Sequence, residues 1–440
     1  MDERFWITTL GCPKNEVDSQ KLIGRLAAGG YERAQDPGEA DLVVVNTCAF
    51  IDAAREESIE TILELDGLRK PGSRLVVTGC LAERSGEQLA AALDEIDLVA
   101  GFGVPVEMKT ARRVVRAGSD ASSADVTTHS FDLLELPRPP ATAPWAYVKV
   151  AEGCDRRCGF CAIPSFRGKQ RSRPSGSILA EIEVLKAREI VLVAQDLASY
   201  GHDRTVSAER HENAGHGIVE LIGAVAQRVD RVRLLYLYPS SLNDRLVEAM
   251  VGTGVPYFDL SLQHASGRLL RTMRRWGDAA RFLERIGRIR QFEPGAVFRS
   301  SFILGYPGET EEDHDELLRF IEEANLDWAG FFTFSREDGT LAAGLDEQVP
   351  SSLALERLRE CSELQEPITA RRRRQLVGTM SEVLVDRPGR ARSYREAPEI
   401  DGIVRVPRSV PEGWLGPVRF MDAVGPDLEA VPALVGGSAP

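Results

Sequence analysis

The stretch that decides the architecture of this chain is EGCDRRCGFCAIP, residues 152–164, in which Cys154, Cys158 and Cys161 form a C-x3-C-x2-C motif. Thiols this close in sequence favour a shared ligand over three separate core positions. A structural zinc or an ordinary ferredoxin cluster is normally held by four protein groups, and the following AIPSFRGKQRSRP supplies no further Cys or His. We therefore expect a 4Fe-4S cluster with one iron left open for a substrate, rather than a zinc knuckle.

Length, composition and charge limit the class of protein. The 440 residues favour two or three domains, and no apolar run approaches the ~20 residues that span a bilayer. The amino terminus, MDERFWITTLGC, lacks the basic start and long apolar segment of a secretory signal, so we expect a cytoplasmic protein without membrane contact. In that reducing compartment the seven cysteines favour ligands or catalytic groups over disulfides. The net charge of -13 disfavours broad nucleic-acid binding and leaves room for a basic protein partner.

The first part of the chain, residues 1–120, repeats one unit three times: an apolar run, a cysteine and a helix-like segment. FWITTL leads to Cys12, DLVVVNT to Cys48 and RLVVTG to Cys80. Short Val- and Leu-rich runs between helical patterns predict buried parallel strands in an open α/β sheet. Ligand sites in such sheets lie beyond the carboxyl ends of the strands, so the three cysteines are predicted to share one rim.

The remainder of the chain predicts a multidomain α/β protein. Residues 121–144 are polar and then Pro-rich, which is typical of an interdomain linker. Six apolar runs alternate with helical patterns across residues 145–370, from WAYVKV to WAGFFTF, and predict a partial (βα)6 barrel, open on one side, with its site at the strand carboxyl ends. Within it, residues 203–217 are expected to form a surface loop, either a lid or a tolerated insertion. Short β-like runs across residues 371–440 predict a small all-β barrel.

The C-x3-C-x2-C motif, with Phe160 just before its last cysteine, resembles the radical SAM family. With a second cysteine trio and a terminal β domain, the whole chain resembles the radical SAM methylthiotransferases, whose last domain is a TRAM domain. Within that family it is closest to the type that modifies an aspartate of ribosomal protein S twelve. The resemblance is carried by TLGCPKNEVDSQ, NTCAFIDAAREES, VTGCLAER, EGCDRRCGFCAIPSFRGKQRSRP, VAQDLASYG, RLLYLYP, FILGYPGETEED and REAPEIDG. Three residues depart from the family pattern: Ser261 replaces a usual Pro, Tyr306 a usual Phe and Gly159 a usual Thr.

The resemblance implies two 4Fe-4S clusters and S-adenosyl-L-methionine as cofactors. The barrel trio would hold the cluster that cleaves S-adenosylmethionine to a 5'-deoxyadenosyl radical, and the amino-terminal trio would hold a cluster that supplies sulfur. The implied reaction is methylthiolation of an aspartate β-carbon in ribosomal protein S twelve, giving 3-methylthioaspartate, with a second S-adenosylmethionine donating the methyl group. A radical suits this reaction because the β-carbon hydrogen is too weakly acidic for a side-chain base. The implied partners are that basic protein, free or within the small ribosomal subunit, and an electron donor.

Three further residues are nominated for contacts with the cofactor. Phe160 is expected to pack on adenine, and Gln195 and Gln263 to hydrogen-bond the ribose or the methionyl group; the alternative is an ordinary polar position on the barrel rim. The glycine-bearing turn YPGET is nominated for the adenine as well, with a plain turn as the alternative. No catalytic residue beyond the cluster ligands is assigned. Cys361 lies in an amphipathic helix pattern and is expected to be a small buried hydrophobe rather than a ligand.

Two other functions stay open at this point. One is a transfer RNA adenosine methylthiotransferase; the other is an iron-sulfur electron carrier or sensor with an RNA-binding tail, which needs neither a large barrel nor an open iron. Residues 378–440 carry nine acidic and seven basic residues, a net of -2, and three aromatic residues, which does not favour RNA contact. The acidic Glu396, Glu399 and Asp401 are expected instead to dock the basic substrate protein.

Overall fold

The computed structural model describes residues 3–106, 113–115, 131–206 and 217–433 of the chain. Its first unit is a six-stranded sheet in the order β2-β1-β3-β4-β5-β6, with every neighbouring pair parallel. The strands are β1 Arg4–Thr9, β2 Glu32–Arg33, β3 Leu42–Thr47, β4 Arg74–Gly79, β5 Leu98–Ala100 and β6 Arg113–Val115. The predicted parallel sheet is confirmed, and the central strand β3 is buried along its whole length.

Helices cover both faces of this sheet. Val44 of β3 faces one helix, whereas Val43 and Val45 face the other two, as the two-residue period of a strand requires. The first helix covers one face alone, and the second and third cover the other. These helices are α1 Pro13–Ala28, α2 Asp52–Leu68 and α3 Cys80–Ala92.

The second unit is a curved parallel sheet of six strands. It consists of two three-stranded sheets, which a single parallel bridge between Leu237 and Leu260 connects. In the part of the chain that the structure describes, the first and last of these strands do not pair, so the predicted partial barrel, open on one side, is confirmed. The strands are β7 Trp145–Lys149, β10 Glu189–Val193, β11 Arg231–Leu234, β12 Tyr257–Gln263, β13 Val297–Leu304 and β14 Trp328–Thr333. A short antiparallel pair, β8 Ala151–Glu152 and β9 Arg171–Ser172, follows the first strand.

Helices form the outer layer of the barrel and pack on alternate side chains of its strands. Cys361 lies fully buried in the last and longest of them, within the main apolar core, so its predicted structural position is confirmed. The helices are α4 Ile163–Arg167, α5 Ser175–Leu185, α6 His202–Val206, α7 Ile218–Ala226, α8 Asp244–Gly252, α9 Gly267–Thr272, α10 Ala279–Phe292, α11 Glu311–Ala324 and α12 Ser351–Arg374.

The third unit is a closed five-stranded barrel in the order β15-β16-β17-β19-β18, as predicted. Its interior is filled by inward-facing apolar side chains such as Val383, Val418 and Phe420. The strands are β15 Met380–Arg387, β16 Arg390–Arg392, β17 Val404–Arg405, β18 Leu415–Val424 and β19 Asp427–Pro432.

The connection between β16 and β17 enters the amino-terminal end of the large barrel. Trp328, the first residue of β14, donates its indole N–H to the carbonyl of Arg395 at 2.8 Å. Tyr257, the first residue of β12, donates its hydroxyl to Asp401 at 2.6 Å. Ala397 packs among the inward-facing side chains of the barrel strands. This segment therefore closes the bottom of the barrel, opposite the rim that carries the cysteines.

The expectation that the acidic stretch forms a docking surface is wrong. Glu396 is fully buried and pairs with Arg373 at 2.5 Å. The side chain of Asp401 is 2% exposed and faces Arg299 at 3.6 Å. Only Glu399 of the three is exposed, so these carboxylates serve the interface between the two barrels and cannot present a shared acidic face to a partner.

Two predicted irregular segments lie partly outside the described residues. Of the predicted linker 121–144, the structure describes the chain from residue 131, where Phe131 and Leu133 pack against the first sheet. Of the predicted loop 203–217, the first four residues belong to α6, and 207–216 lie outside the described residues. None of the helices in the described ranges is long and apolar enough to span a bilayer.

Candidate iron-sulfur sites

The barrel cysteines lie in the loop that follows β8, at the carboxyl end of the first barrel strand. The backbone N–H of Cys154 donates to the carbonyl of Gly168 at 3.1 Å, which closes the loop on itself. The middle of the loop is held from both sides: Gly159 donates to the Met273 carbonyl at 2.8 Å and accepts from Ala342 at 2.9 Å. The chain therefore fixes the loop through its backbone, leaving the thiols available as ligands.

Positive charge surrounds these three thiols. Arg275 donates to the sulfur of Cys158 at 3.4 Å, and the backbone N–H of Arg156 donates to the sulfur of Cys154 at 3.4 Å. The guanidiniums of Arg156 and Arg275 both lie over the ring of Tyr238, at 3.5 and 4.2 Å from its centroid. Such donors stabilise thiolates and the negative charge of a cluster that the thiolates hold.

Burial disfavours the thiolate form of two of the barrel cysteines, Cys154 and Cys161. It raises the pKa of Cys154 to about 11 and that of Cys161 to about 12. Metal ligation requires thiolates, so loading this site must release protons, and apparent affinity for iron should rise with pH.

The amino-terminal cysteines lie at the carboxyl ends of three adjacent strands, as predicted. Cys12 follows β1 and caps α1, Cys48 follows β3, and Cys80 begins α3 directly after β4. Gly11 adopts φ +87°, and a Cβ built there would lie 2.7 Å from the sulfur of Cys48. Any other residue at position 11 would clash with that thiol, so glycine is what allows the first loop to approach the second.

A buried network of amide side chains holds these loops together. Asn15 donates to the carbonyls of Leu10 and Thr47 at 2.9 and 3.0 Å, which ties the loop after β1 to the end of β3. Asn46 donates back to the Asn15 carbonyl at 2.9 Å. These hydrogen bonds hold the loops of the amino-terminal trio in place, and they give the buried backbone carbonyls there their partners.

The three amino-terminal thiols differ in their electrostatics. Burial disfavours the Cys12 thiolate, but the charges on Lys14 and Arg167 outweigh it and lower the pKa of Cys12 below its usual value. Burial raises the pKa of Cys48 to about 11, and it also raises the pKa of Cys80. Cys12, the least buried of the three, is therefore the thiol that ionises most readily.

The two cysteine rims face each other. Arg167 of α4, in the barrel, donates to the sulfur of Cys80 at 3.0 Å. On the opposite side Glu337, which follows β14, pairs with Arg55 of α2 at 2.5 Å and with Arg84 of α3. The amino-terminal unit therefore packs against the carboxyl-terminal end of the barrel, and Arg167 of the barrel contacts a thiol of the amino-terminal trio directly.

The nominated cofactor residues lie on the barrel rim. Phe160 is partly buried against the barrel core. Gln195 follows β10 and donates to Glu152 at 2.7 Å, while its carbonyl oxygen is buried without a hydrogen-bond partner. Gln263 ends β12 with φ +74°, a strained conformation for a residue with a side chain. An unpaired buried acceptor and a strained backbone at the mouth of a barrel are typical of a ligand site.

The YPGET turn has an internal explanation. The carboxylate of Glu309 accepts from the backbone N–H groups of Gly305 and Tyr306 at 2.5 and 3.1 Å. Arg357 of α12 holds the other carboxylate oxygen at 3.1 Å. These contacts support the plain-turn interpretation.

Two departures from the family pattern contact each other. A Cβ built at Gly159 would lie 3.0 Å from the hydroxyl of Tyr306, so the extra hydroxyl occupies space that a larger residue at 159 would need. The third departure, Ser261, donates its backbone N–H to Leu237 at 2.9 Å across the junction of the two half-sheets, a bond that proline cannot make.

Sequence reasoning missed the arginines and a histidine around the sites. Arg156 and Arg167 both lie in EGCDRRCGFCAIPSFRGKQRSRP, residues 152–174. Their closeness in sequence to the three cysteines could have indicated that they lie near the thiols. His264 is fully buried beside Gln263, and burial lowers its pKa to about 3. Its Nδ1 accepts from the N–H of Ser266 at 3.0 Å, which leaves the buried Nε2–H without a partner. No sequence pattern indicated that arrangement.

The residues present fit clusters held by three thiolates. In the described ranges, no three Cys, His, Asp or Glu side chains converge to hold one metal ion. A cubane cluster binds each thiolate through a different iron, so its ligands surround the cluster instead of converging on a point. Three thiols without a fourth ligand, cationic donors to sulfur and an unpaired acceptor on the rim match such a site with one open iron.

Three family models match parts of the chain. A model of the uncharacterized protein family UPF0004 matches residues 4–101, the radical SAM superfamily matches 148–321, and the TRAM domain matches 377–432. The fold, the C-x3-C-x2-C loop and these matches define a radical SAM enzyme.

Relatives of similar length indicate which kind of radical SAM enzyme the chain is related to. Proteins named ribosomal protein uS12 methylthiotransferase RimO are 41% identical in Anaeromyxobacter sp. (strain Fw109-5), over 97% of this chain and 92% of the relative. The relative from Cutibacterium acnes is 37% identical over 97% of this chain and 97% of the relative. The relative from Moorella thermoacetica is 41% identical over 92% of this chain and 93% of the relative. The chain belongs to the family of ribosomal protein uS12 methylthiotransferases RimO.

Proposed function

We propose that this chain methylthiolates the β-carbon of an aspartate in ribosomal protein uS12, giving 3-methylthioaspartate. The observation that carries the proposal is the pairing of two three-cysteine rims, one on each α/β unit, with Arg167 of the barrel bonded to Cys80 of the amino-terminal sheet. The named activity of the relatives, which match along almost the whole chain, supports the same reaction.

The barrel trio would hold a 4Fe-4S cluster with three protein ligands. With S-adenosylmethionine bound, such a cluster supplies the one-electron chemistry that removes hydrogen from a carbon no side-chain base can deprotonate. Arg156 and Arg275 would compensate the charge of the thiolates. Gln195 offers its unpaired carbonyl oxygen to an N–H or O–H donor of the cofactor, Gln263 offers an amide on the neighbouring rim, and Phe160 offers a ring to adenine.

The amino-terminal trio would hold the second cluster. Cys12, Cys48 and Cys80 offer three ligands on one rim, and a transferable sulfur atom needs the coordination position that the protein leaves free. The lowered pKa of Cys12 favours its thiolate, and the cationic Arg167 would stabilise a thiolate at Cys80.

These sites suggest a separate role for each part of the chain. We assign residues 1–120 to the amino-terminal cluster domain, 121–144 to a linker, 145–370 to the radical SAM barrel and 371–440 to a TRAM-like barrel. The partners would be uS12, free or within the small ribosomal subunit, and a cytoplasmic electron donor, since the chemistry consumes an electron.

Mass spectrometry of uS12 from cells with and without this gene tests the substrate. A methylthio adduct on one aspartate should be present only when the gene is present. Absence of the adduct from uS12, together with loss of a methylthioadenosine from transfer RNA, would replace this function by the transfer RNA alternative.

Iron analysis tests the two sites separately. The reconstituted chain should hold about eight irons. Changing Cys154, Cys158 and Cys161 to Ala should halve the iron and abolish 5'-deoxyadenosine formation. Changing Cys12, Cys48 and Cys80 to Ala should halve the iron and leave uncoupled cofactor cleavage. Unchanged iron in the second variant would contradict the amino-terminal cluster.

We also infer an RNA contact, against the expectation from net charge. A cavity of about 530 Å³ on the terminal barrel is lined by Arg387, Arg390, Arg405 and Arg408. Arg390 and Arg405 lie directly opposite each other on paired strands, which brings two like charges to one face of the barrel. Asp427 neutralises Arg405 at 2.7 Å, which leaves a net positive groove suited to phosphate.

Binding of a labelled ribosomal RNA fragment at several salt concentrations tests this contact. Changing Arg387, Arg390 and Arg408 together to Gln should weaken binding and lower the salt slope by about 2 to 3. The matched control changes three exposed arginines of the large barrel's helices, Arg245, Arg281 and Arg288, and should leave the slope unchanged. Equal loss in both variants would mean that no specific groove exists.

A further inference from the structure

We propose that Arg167 is a positioning residue that ties the two cysteine sites together and sets the reduction potential of the amino-terminal cluster. The inference rests on the proposed second cluster. It goes beyond the ligand assignment because Arg167 ligates no iron and belongs to the opposite domain from the thiol that it contacts.

The guanidinium of Arg167 makes four polar contacts on two domains. One nitrogen donates to the sulfur of Cys80 at 3.0 Å and to Asn15 at 2.8 Å, both in the amino-terminal unit. The other donates to Glu152 of the barrel at 2.8 Å and to Asp18 of α1 at 3.4 Å. The side chain is 3% exposed, so these partners replace water almost completely.

The charge of Arg167 is already balanced without a thiolate. Lys149 pairs with the same two carboxylates as Arg167, Asp18 and Glu152, so two cations and two anions form a closed buried group. The hydrogen bond from Arg167 to Cys80 is therefore not needed to neutralise the charge of the guanidinium. A negative cluster on that sulfur would add an attractive interaction without removing an existing one.

The local chain fixes Arg167 to the barrel cysteines. Arg167 ends α4, the five-residue helix that starts two residues after Cys161, the third thiol of the motif. The next residue, Gly168, adopts φ +73° and accepts the backbone N–H of Cys154 at 3.1 Å. On the amino-terminal side the guanidinium lies 4.4 Å from the ring centroid of Phe102. A displacement of either rim must therefore move Arg167 relative to the other.

The expected effect on the amino-terminal cluster has a definite sign. Hydrogen bonds and positive charge at cluster sulfur stabilise the more negative, reduced state, and so raise the reduction potential. Removing the guanidinium should shift the potential of this cluster to more negative values. A lysine would keep the charge but lose the fork that bridges the domains, so its shift should be smaller.

Potentiometric titration followed by electron paramagnetic resonance tests the inference. The starting protein is the full chain with Cys154, Cys158 and Cys161 changed to Ala, which leaves the amino-terminal cluster alone. Adding Arg167→Gln should shift its midpoint potential negatively, and Arg167→Lys should shift it less. The matched control is Arg275→Gln in the same protein, since Arg275 donates to Cys158 of the other site and should produce no shift.

The outcomes separate the two proposals. If the starting protein binds no iron, the second cluster itself is refuted. If it binds iron and neither Arg167 variant shifts the potential, the role of Arg167 is refuted while the cluster stands. Should Arg167→Gln lose its iron while Arg167→Lys keeps it, with far-UV circular dichroism unchanged in both, the positive charge is required and the inference is supported. Loss of iron in both variants with an intact fold would overturn the electrostatic account.

Discussion

The contact between Gly159 and Tyr306 yields a quantitative prediction about the cluster loop. A methyl group placed on Gly159 would lie 3.0 Å from the Tyr306 hydroxyl and 3.1 Å from the Thr272 carbonyl. Both distances are shorter than ordinary van der Waals contacts, and the loop cannot retreat because its backbone bonds to Met273 and Ala342 hold it on both sides. Overpacking of this kind costs about 1 to 3 kcal/mol, so Gly159→Ala should destabilise the chain by that amount.

Removing the hydroxyl should relieve the clash. Tyr306→Phe alone loses only a long bond to the Thr272 carbonyl, at 3.4 Å, and should cost less than ~1 kcal/mol. In the double variant the nearest obstacle is absent, so the cost of Gly159→Ala should fall by ~0.5 kcal/mol or more, within the usual range for residues in contact. The contact with Thr272 remains, so the rescue should be incomplete.

Denaturant unfolding of the four metal-free proteins measures this coupling, and iron content after reconstitution reports whether the loop still holds a cluster. Gly223→Ala is the matched control, because Gly223 lies in α7 with no atom within 4 Å of the added methyl group. That change should be neutral or stabilise by up to ~1 kcal/mol. Additive effects of Gly159→Ala and Tyr306→Phe would refute the argument, since they would mean that the hydroxyl does not fill the space above Gly159.

Three further changes are predicted from buried groups. Cys361→Ala should keep both clusters and cofactor cleavage, at a packing cost of order 1 kcal/mol in urea unfolding, and loss of one cluster's spectrum would contradict this. Burial raises the pKa of Asp401 to about 6, above its value in the unfolded chain. The contribution of Asp401 to the free energy of unfolding is therefore complete at low pH and is lost as the pH rises through 6. Asp401→Asn should remove this loss, so the free energy of unfolding should fall by about 2 kcal/mol less between pH 4 and 7. Glu337→Gln leaves Arg55 and Arg84 without their shared carboxylate and should cost about 1 to 3 kcal/mol, with faster proteolysis between the first two domains. Unchanged cleavage would mean that this contact does not hold the two domains together.

The helices and strands and the positions of the cysteines were predictable because they depend on local sequence pattern. Each of the six barrel strands coincides with a short run of Val, Ile, Leu or aromatic residues, and the amino-terminal cysteines follow strands that the sequence marks clearly. Parallel strands end at one edge of a sheet, so sequence position alone brings Cys12, Cys48 and Cys80 to the same rim.

The contacts between units were not predictable from the sequence. A count of charges treats Glu396 and Asp401 as surface groups, whereas both are buried against arginines of another unit. A count of charges also cannot show that four arginines of the terminal barrel line one cavity, because their clustering depends on how β16 and β17 pair. Net charge describes a chain, and recognition depends on which charges share a face.

Buried ion pairs hold both accessory units on the large barrel, and this choice of contact has a consequence for the sites. Glu189, at the start of β10, pairs with Arg233 at 2.8 Å and with Arg392 of the terminal barrel at 2.9 Å. Such pairs add little net stability compared with apolar packing, but they tolerate few alternative arrangements, because a displaced partner leaves a buried charge unpaired. Two packed apolar faces can shift relative to each other at a small cost in free energy, whereas two surfaces joined by a network of paired buried charges cannot. The ion pairs of Lys149 and Arg167 in the large barrel with Asp18 of α1 fix the position of the amino-terminal cysteine rim relative to the barrel rim in the same way.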